Sequence, residues 1–208
     1  MRRLPVFILI DSSKSMNGKP INSVNRGIEL MLKTLRTNPF ALETVYLNIL
    51  SFNTNAFEVR PFSDLLQNQF CSIEAKGQTN IGKGLDFLIS NLNSHIIKGT
   101  RETKGDWKPL IFIMTDGRFG DAWKSKLDIL KQSGLGELVI CACGENCNLR
   151  VLESMGGTLL IMEDLSEKSI LALFRWISSS INNQSIGIQK MNQQKIFSND
   201  YNKLYLSQ

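Results

Sequence analysis

The run Val6-Phe7-Ile8-Leu9-Ile10 contains no polar residue and stops at Asp11-Ser12-Ser13-Lys14-Ser15. A short apolar run of this kind reads as a buried strand. Beyond the polar cluster, Ile21, Val24, Ile28, Met31, Leu32 and Leu35 recur at three- and four-residue steps, the period of a helix with one buried face. Strand, polar cluster and helix in that order place the cluster at the carboxyl end of a central strand, where open α/β sheets collect ligands. Asp11, Ser13 and Ser15 alternate, so three oxygens converge while Ser12 and Lys14 point elsewhere. One carboxylate and two hydroxyls, with no His or Cys beside them, suit Mg²⁺ or a similar oxygen-loving ion better than zinc.

The rest of the chain repeats the pattern. Pro20 suits a first helical turn, and Asn38-Pro39 closes that helix. Val45 to Phe52 is a second strand, and Ala56 to Val59 a third, joined through Asn53-Thr54-Asn55 as a hairpin. A tight turn permits only antiparallel pairing, so the third strand belongs at an edge. Gly77-Gln78-Thr79-Asn80 opens a helix with Ile81, Leu85, Leu88, Ile89, Leu92 and Ile96 on its buried side, and Gly82 and Gly84 permit close approach. Leu110 to Met114 is a strand ending in Thr115-Asp116-Gly117. A helix from Asp121 to Gln132, a strand from Leu138 to Cys143, a short helix over Leu149 to Met155, a strand from Thr158 to Met162 and a helix from Lys168 to Ile181 complete the core. Strands alternating with amphipathic helices predict an α/β fold: a three-layer αβα sandwich, doubly wound, with a mostly parallel sheet and one antiparallel edge strand. Residues 1–181 make one domain. From Asn182 the chain turns rich in Asn, Gln, Ser and Lys, and residues 182–208 are an extension, either docked or flexible.

Composition excludes several classes. At 208 residues and 23.5 kDa the chain supports one sizeable core rather than two. A net charge of +5 and pI near 9.1 come without any Lys/Arg block, which argues against a nucleic-acid arm. Arg2 and Arg3 precede an apolar stretch, but it ends at Asp11 with no small-residue cleavage site, so it reads as neither a signal peptide nor a membrane span. Cys141 and Cys143 alternate with apolar residues as core thiols, Cys147 lies in the loop beyond, and the spacing lacks the paired C-x-x-C of a zinc knuckle. The cysteine pattern fits a reducing cytoplasm. His95, the single histidine, lies late in a helix, away from the polar clusters.

Two further clusters fall where this fold brings them beside the first: Thr79, entering a helix, and Asp116, ending an apolar strand. Asp11, Ser13, Ser15, Thr79 and Asp116 offer two carboxylates and three hydroxyls, which leaves a coordination position open. Each has an ordinary alternative, as a helix cap or a turn residue. Their combination, DSSKS followed by a separate Thr and a TDG stretch, resembles the metal-ion-dependent adhesion site of the von Willebrand factor type A domain family. The likeness spans roughly residues 4 to 180. MRRLPVF, ALETVYLNILSF and KGDWKPLIFIMTDG resemble more narrowly the bacterial TerY-like branch, associated with tellurite resistance and stress operons.

The resemblance implies that Asp11, Ser13, Ser15, Thr79 and Asp116 hold Mg²⁺ (or Mn²⁺), with Thr79 bound directly in one state and through water in another. It also implies a protein partner that presents Asp or Glu, such as a kinase-like or phosphatase-like protein of the same system. Arg118 and Phe119 lie just past Asp116, where such a partner approaches. Lys14 adds a cation near the site, which weakens metal affinity or favours an acidic ligand. The alternative is a metal-dependent phosphatase or other hydrolase using Asp11 and Asp116. Against it, Ser13 stands where acid-first phosphoryl transfer wants a second Asp, and the G-x-x-x-x-G-K-[ST] and G-x-G-x-x-G loops are absent. A binding module, not an enzyme, is the expectation.

Overall fold

The computed structural model describes residues 2–67, 70–120, 123–134, 136–144, 147–162 and 164–185, and the backbone of 195–197. In chain order the elements are β1 (Leu4–Asp11), a 3₁₀ turn (Lys14–Met16), α1 (Lys19–Arg36), α2 (Pro39–Thr44), β2 (Val45–Phe52), β3 (Ala56–Asp64) and α3 (Ile81–His95). There follow β4 (Leu110–Thr115), α4 (Lys124–Gln132), β5 (Glu137–Cys143), α5 (Leu149–Met155), β6 (Thr158–Met162), α6 (Glu167–Ser185) and β7 (Lys195–Phe197). The sheet order is β3-β2-β1-β4-β5-β6-β7. Every neighbouring pair is parallel except β2 with β3, which is the antiparallel edge strand the sequence predicts. The chain winds outward from β1 through β2 and β3, then returns to the other side of β1 with β4. Between β1 and β4 lies the switch point of a doubly wound sheet.

The unbroken apolar run of β1 is explained by its two covers. Leu4, Val6, Ile8 and Ile10 enter the layer built by α1, α2 and α6, whereas Phe7 and Leu9 enter the layer of α3, α4 and α5. Each such buried side chain contributes about 1.5–3 kcal/mol, so the strand that carries Asp11 is among the most firmly held parts of the molecule. The layers sit close where small residues allow it. A Cβ on Gly27 of α1 would lie 2.2 Å from the Phe174 ring of α6, and one on Gly84 of α3 would lie 2.9 Å from the Phe52 ring.

Several boundaries differ from the sequence reading, each for a local reason. Asn38 does more than follow α1: its Oδ1 accepts N–H bonds from Phe40 (2.9 Å) and Ala41 (3.3 Å) and starts α2, with Pro39 at the first helical position. β3 runs on through Pro61 to Asp64, because an edge strand tolerates a residue without an N–H. The start of α4 expected at Asp121 lies outside the described residues; the helix begins at Lys124 after Trp123. α6 extends to Ser185, and residues 195–197 add a parallel strand beside β6 that the sequence reading lacks.

His95 sits at the opposite end of β1 from Asp11, and its ring has a partner. It stacks on Phe62 at 4.8 Å, and Phe62 stacks on Phe7 at 5.4 Å. Beside them Arg3 makes a bidentate pair with Asp106 (2.8 and 2.6 Å) and lies over the Tyr46 and Phe62 rings. This is a structural clasp far from the polar clusters.

Candidate metal centre

Asp11 is the last residue of β1, and Asp116 follows the last residue of β4, so two adjacent parallel strands deliver both carboxylates to the switch point. Asp11 is only 2% exposed. Its Oδ1 accepts the Ser13 N–H at 2.9 Å and its Oδ2 accepts the Thr115 hydroxyl at 3.1 Å. Burial pushes its carboxyl up to about 6, the hydrogen bonds from Ser13 and Thr115 pull against that rise, and the charge of Asp116 adds to it. Among the described residues no ion pair involves Asp11 or Asp116. A buried carboxylate thus lies beside a second one, without an ion pair among the described residues.

The hydroxyls are not used as helix caps. Ser13 Oγ and Ser15 Oγ lie 3.0 Å apart, the first buried and the second exposed. Ser13 precedes the 3₁₀ turn without making a side-chain cap bond, and α1 is capped by Gly18 at φ 82°. Thr79 is half-buried in the loop before α3, where the cap is Asn80, whose Oδ1 accepts the Lys83 N–H at 3.0 Å. The turn role is real for the two acids. Asp116 Oδ1 accepts the Arg118 N–H at 3.0 Å, as Asp11 does with Ser13.

Backbone bonds tie the three clusters into one scaffold. Lys14 N–H donates to Gly77 O at 3.0 Å and Lys76 N–H to Ser12 O at 2.9 Å, fastening the Thr79 loop to the DSSKS loop. Asn80 N–H donates to Asn53 O at 3.1 Å. Ser12 faces away from the site, its hydroxyl donating to Phe52 O at 3.1 Å with Ser51 Oγ 2.8 Å away, and so anchors β1 to β2. On the other flank Asn148 N–H donates to Asp116 O at 2.9 Å. There Gly117 turns at φ 74°, and a Cβ on it would lie 2.8 Å from Leu152. Phe119 meets Trp123 edge-on at 5.5 Å, anchoring the loop that follows Asp116.

A cleft of about 320 Å³ opens at this end of the sheet, lined by Ser15, Asp116, Arg118, Cys143, Gly144, Asp164 and Leu165. Of the five residues singled out in the sequence, Ser15 and Asp116 line it; Asp11 and Ser13 are buried, and Thr79 approaches through its loop. Thr115, Cys143 and Asp164 are additions. Only their position at or beyond the carboxyl ends of β4, β5 and β6 could have signalled them. No group of three or more His, Cys, Asp or Glu side chains capable of holding a metal occurs among the described residues. What the site offers is a mixed set of carboxylates and hydroxyls, hard donors that fit a divalent oxygen-loving ion with positions left for water or an outside ligand. Burial raises the Cys143 thiol well above its ordinary range and the Cys147 thiol to about 11, so both stand as neutral thiols at this end of the sheet.

A doubly wound α/β sandwich with hard oxygen donors at its switch point defines a Rossmann-like class of domain. The chain belongs to the von Willebrand factor type A domain family, whose profile matches residues 6–165. Domains of this family are generally non-catalytic protein-interaction modules that often use a divalent metal, which is consistent with a binding module rather than an enzyme.

Among solved structures it resembles the pilus adhesin SpaC from Lactobacillus rhamnosus GG, at 13% identity and a TM-score of 0.70, over 88% of this chain and 30% of that one. It also resembles proximal thread matrix protein 1 from the mussel byssus with a zinc-occupied MIDAS motif, at 14% identity and a TM-score of 0.60, over 87% and 46%. A third is a variant of the PilB minor pilin from Streptococcus sanguinis, at 13% identity and a TM-score of 0.63, over 92% and 64%. The chain thus spans less than two thirds of each of these proteins, and at such identities the likeness is one of fold.

The cytoplasmic placement read from the cysteines is corrected here. The similar structures belong to pili and a byssal thread, outside any cytoplasm. The physical reason is plain: thiols buried in a core, as Cys141 and Cys143 are, stay unpaired in any compartment. Among the described residues no helix is long and apolar enough to cross a membrane.

Proposed function

We propose that this domain is a divalent-metal-dependent scaffold that captures an acidic side chain of a protein partner. The ion, Mg²⁺ or Mn²⁺, would be held by Asp11, Ser13, Ser15, Thr79 and Asp116. One observation carries the reading: a buried Asp11 carboxylate beside Asp116 that, among the described residues, has no ion pair to offset its charge. Proteins keep such a group where something outside the chain compensates it. Bound there, a divalent ion supplies a Lewis-acidic position open to one further oxygen ligand.

The chain's own residues do the rest. Thr115 and the Ser13 N–H orient the Asp11 carboxylate, so that it needs no rearrangement to accept a cation. Asp116 balances the charge: two carboxylates against a divalent ion leave the site close to neutral, and a third carboxylate can approach without strong repulsion. We place residues 1–181 in the binding domain and residues 182–208 in an extension to it. The parallel pairing of 195–197 with β6 supports a docked extension. The likeness of three stretches to the TerY-like branch supports a bacterial tellurite-resistance or stress system, with kinase-like or phosphatase-like proteins as partners.

Capture of partners by the wild type and by Asp11→Ala, each with Mg²⁺ and with EDTA, tests the reading. Capture by the wild type in Mg²⁺ alone is the expected result. Equal capture in all four conditions would overturn it.

A further inference from the structure

Asn17-Gly18 is the chain's one Asn-Gly pair. It forms the connector between the 3₁₀ turn and α1, and both residues are exposed. The Asn17 side chain folds back on the chain, its Oδ1 accepting the Gly18 N–H at 2.9 Å, so the amide group already lies against the next backbone nitrogen. Gly18 stands at φ 82°, and nothing lies within 4 Å of the place a Cβ would take. Open space therefore surrounds that nitrogen, and glycine lets the peptide turn about it. Other pairs with a small second residue are shielded by the fold. Asn22-Ser23 lies within α1 and Asn93-Ser94 within α3, where helical hydrogen bonds fix the backbone. In Asp116-Gly117 the glycine is buried and donates its N–H to Thr115 Oγ1 at 3.3 Å.

We propose that Asn17 is a self-modification site, at which the Gly18 nitrogen attacks the Asn17 side-chain carbonyl carbon and closes a succinimide ring. The N–Cγ bond forms as the Cγ–Nδ2 bond breaks, and the amide nitrogen leaves as ammonia with the Gly18 proton. Water then opens the ring. Addition at Cγ gives aspartate with the main chain unchanged; addition at the main-chain carbonyl gives isoaspartate, with one extra methylene in the backbone. Either way a neutral amide becomes a carboxylate. The elements on both sides are held independently of the connector. α1 buries one face against the core, and the 3₁₀ turn is tied to the loop before α3 through Lys14 N–H to Gly77 O at 3.0 Å. The connector alone takes up the change, so the product stays folded while its net charge of +5 falls by one. The new acid stands just before α1, whose first turn holds no acid, and a helix N-terminus favours a negative charge.

The full chain is kept at mildly alkaline pH and physiological temperature, beside Asn17→Gln and a synthetic peptide spanning residues 14–20. Samples are taken until the peptide is half converted, and are read by peptide mapping with mass spectrometry and by ion exchange. Asn17 should deamidate in the folded chain at close to the peptide's rate and ahead of Asn22 and Asn93, and the product should be a substrate for an isoaspartyl methyltransferase. Circular dichroism of the aged chain should match that of the fresh one. Asn17→Gln, whose side chain would have to close a larger and slower ring, should keep its charge over the same period. A folded chain that stays intact at Asn17 while the peptide converts overturns the proposal. So does earlier conversion of Asn22 or Asn93, or equal loss of charge in Asn17→Gln.

Discussion

Replacing Asp11 with Asn keeps the shape of the side chain and removes its charge. The amide oxygen can still accept the Ser13 N–H, and the amide can donate to Thr115 Oγ1, which already accepts the Gly117 N–H at 3.3 Å. In the metal-free wild type the carboxyl ionises near 6 in the fold against an ordinary 3.8. The native state therefore binds more protons between those values, so stability falls as pH rises through that window and stays low above it. At about 1.4 kcal/mol per pH unit, the cost of the buried charge near neutral pH is about 3 kcal/mol. Burying the Asn amide takes back part of this, and Asp11→Asn should be more stable than the wild type by about 1–3 kcal/mol near pH 7 in EDTA. The difference should fade as pH drops below about 4, where the wild-type carboxyl is protonated in both states. Urea unfolding of both proteins across this range measures it. In Mg²⁺ at a hundredfold excess over its dissociation constant the wild type should regain about 2.7 kcal/mol, and the variant nothing. An Asn variant less stable than the wild type near pH 7 in EDTA, or a gap that ignores pH, would refute the reasoning.

Two other substitutions separate site from scaffold. Asn80→Ala should cost about 1 kcal/mol, through loss of the α3 cap, whereas the neighbouring Thr79→Ala should change stability by no more than about 0.5 kcal/mol and weaken Mg²⁺ binding; denaturation and calorimetry on the pair distinguish the roles. Gly27→Ala puts a methyl 2.2 Å from the Phe174 ring and should destabilise the fold by about 1–3 kcal/mol without altering Mg²⁺ affinity once folded.

The parts of this molecule that could be read from the chain are those whose signal is local. The run Val6 to Ile10 declares a doubly covered strand, and the polar residues that follow it, like Thr115-Asp116-Gly117 after β4, declare strand ends by contrast. Topology then brings them together, which is why a strand order could stand in for coordinates. Signals with two meanings misled. Asn38-Pro39 ends one helix and begins another, and the third strand, read as Ala56 to Val59, runs on past Pro61 because it lies at an edge. Non-local facts were silent. Nothing near Thr115 says that its hydroxyl reaches Asp11, 104 residues away in sequence, and nothing near Asp164 or Cys143 says that they share a cleft with Ser15. The thiols were silent on compartment, because a buried Cys records its neighbours and not the redox state outside.

Calorimetric titration of the metal-stripped protein with Mg²⁺ and Mn²⁺, alongside Asp11→Ala, is the most direct trial of the central claim. The site described here should give saturable binding near pH 7 in the wild type and none in the variant. Equal heats from both proteins would place the ion elsewhere and contradict the account.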